Sequence, residues 1–163
     1  MATWTELTTY APHITTIFTR RHAATGHLCM LATLRKDGFP RISPIEPKIF
    51  EGELWLIGMP NTTKFYDLGR DPRFCLHTAT VDTHVADGDA KLWGVVHNVP
   101  DPDLHQRFAE DLFAQTGFDL RGQKFDHFYA ADISAASAVE VIDDHMDVTI
   151  WKPGEAERVV RKH

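Results

Sequence analysis

What most constrains the fold of this chain is the way its β-prone runs are joined. Leu28 to Arg35 runs apolar with alternation near its end, Asp37-Gly38 is a hairpin turn, and Pro40 to Phe50 returns as an extended segment. Glu51-Gly52 turns the chain again into Leu54 to Met59, which Pro60 ends. A crossover between parallel strands needs about a dozen residues. These joints are far shorter, so the three runs are predicted to form an antiparallel meander. Pro40, Pro44 and Pro47 cannot donate ladder hydrogen bonds, which predicts an irregular or bulged second strand.

Further strands are expected at Arg73 to Thr80 and at Ala90 to Val99, separated by an aperiodic loop from Val81 to Gly88. Phe128 to Ile133 reads as strand or coil. Ala138 to Ile142 and Met146 to Trp151 read as a closing hairpin about Asp143-Asp144-His145. Three helices fit between them. Ile14, Ile17 and Phe18 recur at helical spacing from Pro12 to Ala24, with Gly26 as a stop. Asn61 is the expected N-cap of a short helix from Thr62 to about Leu68, closed by Gly69. Asp101, Pro102 and Gly117 bracket a third helix that carries Leu104, Phe108 and Leu112 on one face, and Phe118 to Asp126 follows as loop.

Consecutive hairpins with few helices between them disfavour a parallel βαβ design and favour a closed antiparallel barrel. The expected fold is mainly β (α+β): an antiparallel split barrel of six or seven strands with three or four flanking helices. One domain spans 1–163, with an N-terminal helical segment over 1–26 and a C-terminal hairpin and tail over 137–163.

Composition narrows the function classes. With 43% hydrophobic and 25% charged residues the chain has the balance of a folded globular protein. The formal net charge of −6 repels nucleic-acid phosphates. Its densest basic group, Arg158, Arg161 and Lys162, reads as a solvated tail. Met1 to Tyr10 is polar, and no run is long and apolar enough for a membrane span, so a cytoplasmic protein is expected. Cys29 and Cys75 sit in apolar stretches and read as buried small hydrophobes. The histidines show no zinc-protease spacing, since His22 and His27 are five apart, and no metal site is expected. His77 and His97 fall on predicted strands, as core or rim residues or as proton donors or haem ligands.

Pro60-Asn61-Thr62-Thr63-Lys64 is the segment richest in chemistry, a strand end running through a hydroxyl-rich turn into a helix that contains lysine. Free amides, two hydroxyls and an ammonium suit a phosphate, although such a helix start also occurs without a ligand. The ordered series Ala32-Thr33-Leu34, Asp37-Gly38, Pro40-Arg41-Ile42-Ser43-Pro44, Gly52-Glu53-Leu54-Trp55, Thr62-Thr63-Lys64 and Leu68 through Asp71-Pro72-Arg73 resembles the pyridoxamine 5′-phosphate oxidase-like split-barrel family. The resemblance covers about residues 27–99, and Trp151-Lys152-Pro153-Gly154 is similar to a C-terminal element of some bacterial members.

The resemblance implies a homodimer with the cofactor at the subunit interface, its phosphate near Lys64 and its ring against the strand of Arg41 to Ile45. The implied cofactor residues are Arg41, Ser43, Pro44, Thr62, Thr63 and Lys64, with Trp93 added as a possible ring contact, although Trp55, Trp93 and Trp151 also suit a barrel interior. Many members carry arginine immediately before the lysine, where this chain has Thr63. That departure leaves FMN and a deazaflavin coenzyme both open. Glu155 to His163 has no counterpart of the substrate-binding signature of the true pyridoxamine phosphate oxidases, so vitamin B6 oxidation is not expected. The implied function is an FMN- or deazaflavin-dependent oxidoreductase acting on a small organic substrate by hydride transfer, with no catalytic acid or base identified. The alternatives are a haem-binding or flavin-storing protein on the same scaffold, and a cofactor-free structural dimer.

Overall fold

The computed structural model describes residues 1–163 as four helices and nine strands. The helix predicted from Pro12 is α2 (Pro12–Ala24), with Ile14, Ile17 and Phe18 buried. A shorter helix precedes it, α1 (Trp4–Tyr10), within the N-terminal segment expected to be helical over 1–26, in the polar stretch for which no separate helix was predicted. Thr3 and Glu6 cap it reciprocally, each side chain accepting from the other's backbone amide, while Trp4 and Leu7 enter the core.

β1 (Cys29–Leu34) and β2 (Pro40–Ile45) form the hairpin about Asp37-Gly38, but the expected meander stops there. The extended run breaks at Glu46-Pro47 and resumes as β3 (Lys48–Phe50), which pairs with β4 (Glu53–Leu56) and not with β2. Next comes α3 (Thr63–Arg70), which ends two residues beyond the predicted Leu68, with Gly69 inside its last turn. The stop is Asp71, held extended ahead of Pro72, whose ring disfavours helix in the residue before it. Thr62, not Asn61, is the N-cap.

β5 (Arg73–Thr78), β6 (Asp89–Asn98) and α4 (Pro102–Thr116) lie close to their predicted places, and Gly117 ends α4 in the left-handed conformation. The two runs expected at Phe128 and at Ala138 merge into one strand, β7 (Tyr129–Ile142), whose middle is small residues of low β-propensity. β8 (His145–Trp151) follows, and the expected solvated tail is β9 (Arg158–Lys162), which pairs with β8 and is fastened by Arg161 on Asp147 at 2.8 Å. The split of the Pro-rich run and the ninth strand raise the count above six or seven. The mainly antiparallel α+β class stands.

The strand order is β2-β1-β5-β6-β7-β4-β3, with β8 and β9 continuing from the far part of β7. β2 and β3 therefore occupy opposite edges of the path, yet only Glu46 and Pro47 separate them in the chain. Two linking residues span about 10 Å at most, so the sheet curls until its edges meet. The result is a barrel with a seam. His22 of α2 crosses to that seam, with Nε2 2.7 Å from the Pro47 carbonyl oxygen.

Alternation sorts the strands into two faces. Leu31, Leu76 and Leu92 point inward, where α2 packs, in a core of 25 buried residues. On the outer face α4 covers β4 through Trp55, Leu104, Phe108 and Phe128. It leaves the outer face of β2, β1, β5 and β6 open. There Ile42, Ala32, Cys75, Trp93 and Ala135 are successive cross-strand partners, an apolar row in which Ile42 is 71% and Trp93 36% exposed. Cys75 is thus only half-buried; Cys29 points into the core, where burial pushes its thiol up to about 12.

Candidate functional site

The β1–β2 hairpin and α3 enclose a notch of about 520 Å³ lined by Arg35, Lys36, Asp37, Arg41, Thr63, Asp67 and Arg70. Its lining contains no apolar residue and carries four cationic side chains against two carboxylates. The local folding reasons are simple. Arg41 faces the notch because it pairs with Thr33, whose side chain is on the inner face of β1. Thr63, Asp67 and Arg70 recur at four and then three residues, which places them on one face of α3.

Asp67 organises the cations. It is buried, and its two oxygens accept from Thr33 Oγ1 at 2.8 Å, Arg41 Nε at 2.6 Å and Arg70 at 3.0 Å. Burial pushes this carboxyl up, but the hydrogen bonds from Arg41, Thr33 and Arg70 outweigh it and hold Asp67 below the usual aspartate range. Because Asp67 engages Arg41 only through Nε, the terminal guanidinium nitrogens of Arg41 carry no hydrogen bond within the chain. Arg35 is held by Asp37 at 2.8 Å.

The lysine singled out in the sequence follows Thr63 but does not itself line the notch; its Nζ donates to the Pro44 carbonyl at 3.2 Å. Thr62 donates its hydroxyl to the Met59 carbonyl at 3.3 Å and makes no side-chain cap bond. The amides of Thr63 and Lys64, at the first turn of α3, have no intrahelical acceptor. Asn61 is left-handed, with φ 61°, and its side chain accepts from the Tyr66 hydroxyl at 2.8 Å.

The implied cofactor residues therefore separate by face. Arg41 and Thr63 line the notch, whereas Thr62 and Lys64 flank Thr63 in the chain without lining it. Ser43 shares the notch side of β2, opposite Leu31, whereas Pro44 and Ile42 face outward. Trp93 is on that outer face three strands away, about 14 Å at ordinary strand spacing. Trp151 lies in the barrel core as expected, whereas Trp55 is buried on the outer face beneath α4. Arg35, Lys36, Asp37, Asp67 and Arg70 were not singled out by sequence. The signal was present in the cation pair beside the Asp37-Gly38 turn and in the helical spacing from Thr63, but placing the helix end at Gly69 hid Arg70.

The family model of pyridoxamine 5′-phosphate oxidase matches residues 20–143. No curated protein matches the chain in sequence. Among solved structures, a pyridoxamine 5′-phosphate oxidase-related, FMN-binding protein from Nostoc punctiforme superposes with a TM-score of 0.63 at 13% identity, covering 94% of this chain and 96% of that one. PhzG from Burkholderia lata, solved with tetrahydrophenazine-1-carboxylic acid, gives 0.60 at 12% identity, covering 96% of both chains. A haem-binding protein from Mycobacterium smegmatis gives 0.59 at 21% identity over 80% of this chain, which spans only 55% of the mycobacterial one. At these identities the likeness is one of fold.

Proposed function

Since this chain belongs to the pyridoxamine 5′-phosphate oxidase family, we propose that it binds FMN or a deazaflavin coenzyme and acts as an oxidoreductase on a small organic substrate in the cytoplasm. The observation that carries this reading is the cationic notch. Four cations, the free terminal nitrogens of Arg41 and the unclaimed amides of Thr63 and Lys64 form a donor set for a phosphate, with Asp67 fixing the geometry. These residues fit the phosphate end of the coenzyme.

β2 is the wall between the notch and the open apolar face. Arg41 and Ser43 look to one side and Ile42 and Pro44 to the other, so a molecule anchored by its phosphate has an apolar surface next to its anchor. When bound, the ring accepts or donates a hydride. The chain's own part is to hold the phosphate, to orient the ring and to exclude water. The uncovered row from Ile42 to Ala135 supports a homodimer that buries this face, with the cofactor between subunits.

A second reading, haem binding, is favoured by one observation. His77 lies on the same open face, opposite Met30, and its Nδ1 bonds the Thr78 carbonyl. That bond leaves Nε2, 3.8 Å from Asp89 Oδ2, as the ring nitrogen open to a metal, and a backbone carbonyl on the other nitrogen is a usual partner of a metal-ligating histidine.

Absorbance spectra during titration with FMN, the deazaflavin coenzyme and haemin separate the readings. Saturable binding of either flavin with micromolar or tighter affinity supports the first, and a Soret shift lost in His77→Ala supports the second. A protein that binds none of the three overturns both.

A further inference from the structure

A second cavity, of about 190 Å³, opens between the end of α2, β3 and α4. None of these elements lines the cationic notch. The buried imidazole of His22 is fixed by the bond to the Pro47 carbonyl, so its Nε2 carries the proton. His27 is left-handed, with φ 69°, and its amide donates to the His22 carbonyl at 2.7 Å. That turn lays the two rings face to face, centroids 4.2 Å apart and planes within 3°.

Lys48 donates to His27 Nδ1 at 3.1 Å, and its side chain is only 22% exposed. Its nearest carboxylate oxygen, on Glu46, is 3.8 Å away, beyond hydrogen-bond reach, and the Glu46 side chain is 65% exposed. Glu46 lies outside the cavity lining, and the one carboxylate within it, Asp111, accepts from Gln115 at 2.8 Å. A largely covered ammonium with three donors thus has one neutral acceptor and, at 3.8 Å, an ion-pair partner that is itself mostly exposed, which leaves donor capacity facing the cavity. Phe50 and Phe108 meet edge to face 5.6 Å apart in the same wall.

From this pairing of a cation with phenyl walls we infer a ligand site for a small aromatic carboxylate, its carboxylate on Lys48 and its ring on Phe50 and Phe108. The size agrees: a cavity of about 150 Å³ admits benzene, and this one adds room for a carboxylate. Proton uptake accompanies binding. Burial and then Lys48 hold His27 below the usual histidine value, with Glu46 acting against them. His22 is likewise lowered by burial, against the Pro47 carbonyl, and further by His27 and Lys48. A bound anion offsets the Lys48 repulsion and lets an imidazole protonate, so affinity rises as pH falls.

Benzoate is the probe, followed by calorimetry and by the histidine ring signals in NMR, on wild type and Lys48→Met at about pH 6 and about pH 8. Expected are benzoate-dependent shifts of His22 and His27 in wild type, tighter binding at the lower pH, and at least a tenfold loss in Lys48→Met. Benzyl alcohol and inorganic phosphate should each bind at least tenfold more weakly than benzoate. Unmoved histidine signals in wild type overturn the site whatever the variant does. So does equal benzoate affinity in a Lys48→Met protein with wild-type circular dichroism, or phosphate binding as tight as benzoate.

Discussion

At the residue scale Lys64 and Asp67 play opposite parts, one free to meet an anion and one fully engaged. Lys64 is tethered to the Pro44 carbonyl but has no carboxylate partner, so its charge is available to an anion at the helix start. A charge-assisted contact contributes roughly 1.5–3 kcal/mol, so Lys64→Ala should weaken FMN or deazaflavin binding on the order of tenfold to a hundredfold, and Lys64→Glu should weaken it further. Calorimetric titration checks this; equal affinities across the three proteins would remove Lys64 from the phosphate site. Asp67 is different, because it holds the fold as well as the notch. Replacing it by Ala strands Arg41, Arg70 and Thr33, and should cost about 2–3 kcal/mol in urea unfolding. Its pH signature follows from the lowered carboxyl. The stability that Asp67 contributes is complete above the ordinary aspartate value of about 3.9 and is lost as pH falls through its lower folded value. The gap between wild type and Asp67→Asn should therefore narrow on acidification below about pH 4; a gap independent of pH would contradict the assignment.

Among the elements, the β6–β7 ladder is the most exacting. Its register shifts between Trp93 and Gly94, where Trp93 opposes Ala135 and Gly94 opposes Ile133, leaving Ser134 as the extra residue. The bulge needs glycine, because a Cβ on Gly94 would run into the Asp132 carbonyl. Gly94→Ala should destabilise the protein by at least about 2 kcal/mol, and thermal unfolding measures it; a melting temperature within a degree or two of wild type would show that the bulge can relax. α4 was fully legible, since Asp101, Pro102 and Gly117 encode both of its ends locally, and the Asp101 side chain accepts from the amides of Asp103 and Leu104. β7 was not. Its alanines and serines carry little strand preference, and the strand exists because β6, β4 and β8 offer it partners.

For the whole molecule the open outer face is the surface on which the proposed homodimer rests. A row running Ile42, Ala32, Cys75, Trp93, Ala135 across five strands has no helix of its own to cover it, while the neighbouring face under α4 does. A second copy burying this row predicts a light-scattering mass of about twice the 18.5 kDa chain at micromolar concentration. Ile42→Glu should shift the protein to monomer and weaken FMN or deazaflavin binding together. A wild-type monomer would sink the dimer and the shared site alike, whereas an Ile42→Glu dimer would move the interface elsewhere.

Local chemistry determined the antiparallel class, the hairpin about Asp37-Gly38, two helices to within a residue, and the lysine at the start of α3, because periodicity, turns and caps act between residues a few positions apart. What joins distant residues was decided only in three dimensions. Glu46-Pro47 looked like the middle of one strand and is the link between opposite edges of the sheet, since Pro47 offers no ladder donor and barrel closure brings those edges together. The same closure, not any motif, sets Arg41 against Asp67 and His22 against the Pro47 carbonyl. Groups 25 and 26 residues apart meet only after the sheet has curled, and no local pattern encodes that approach.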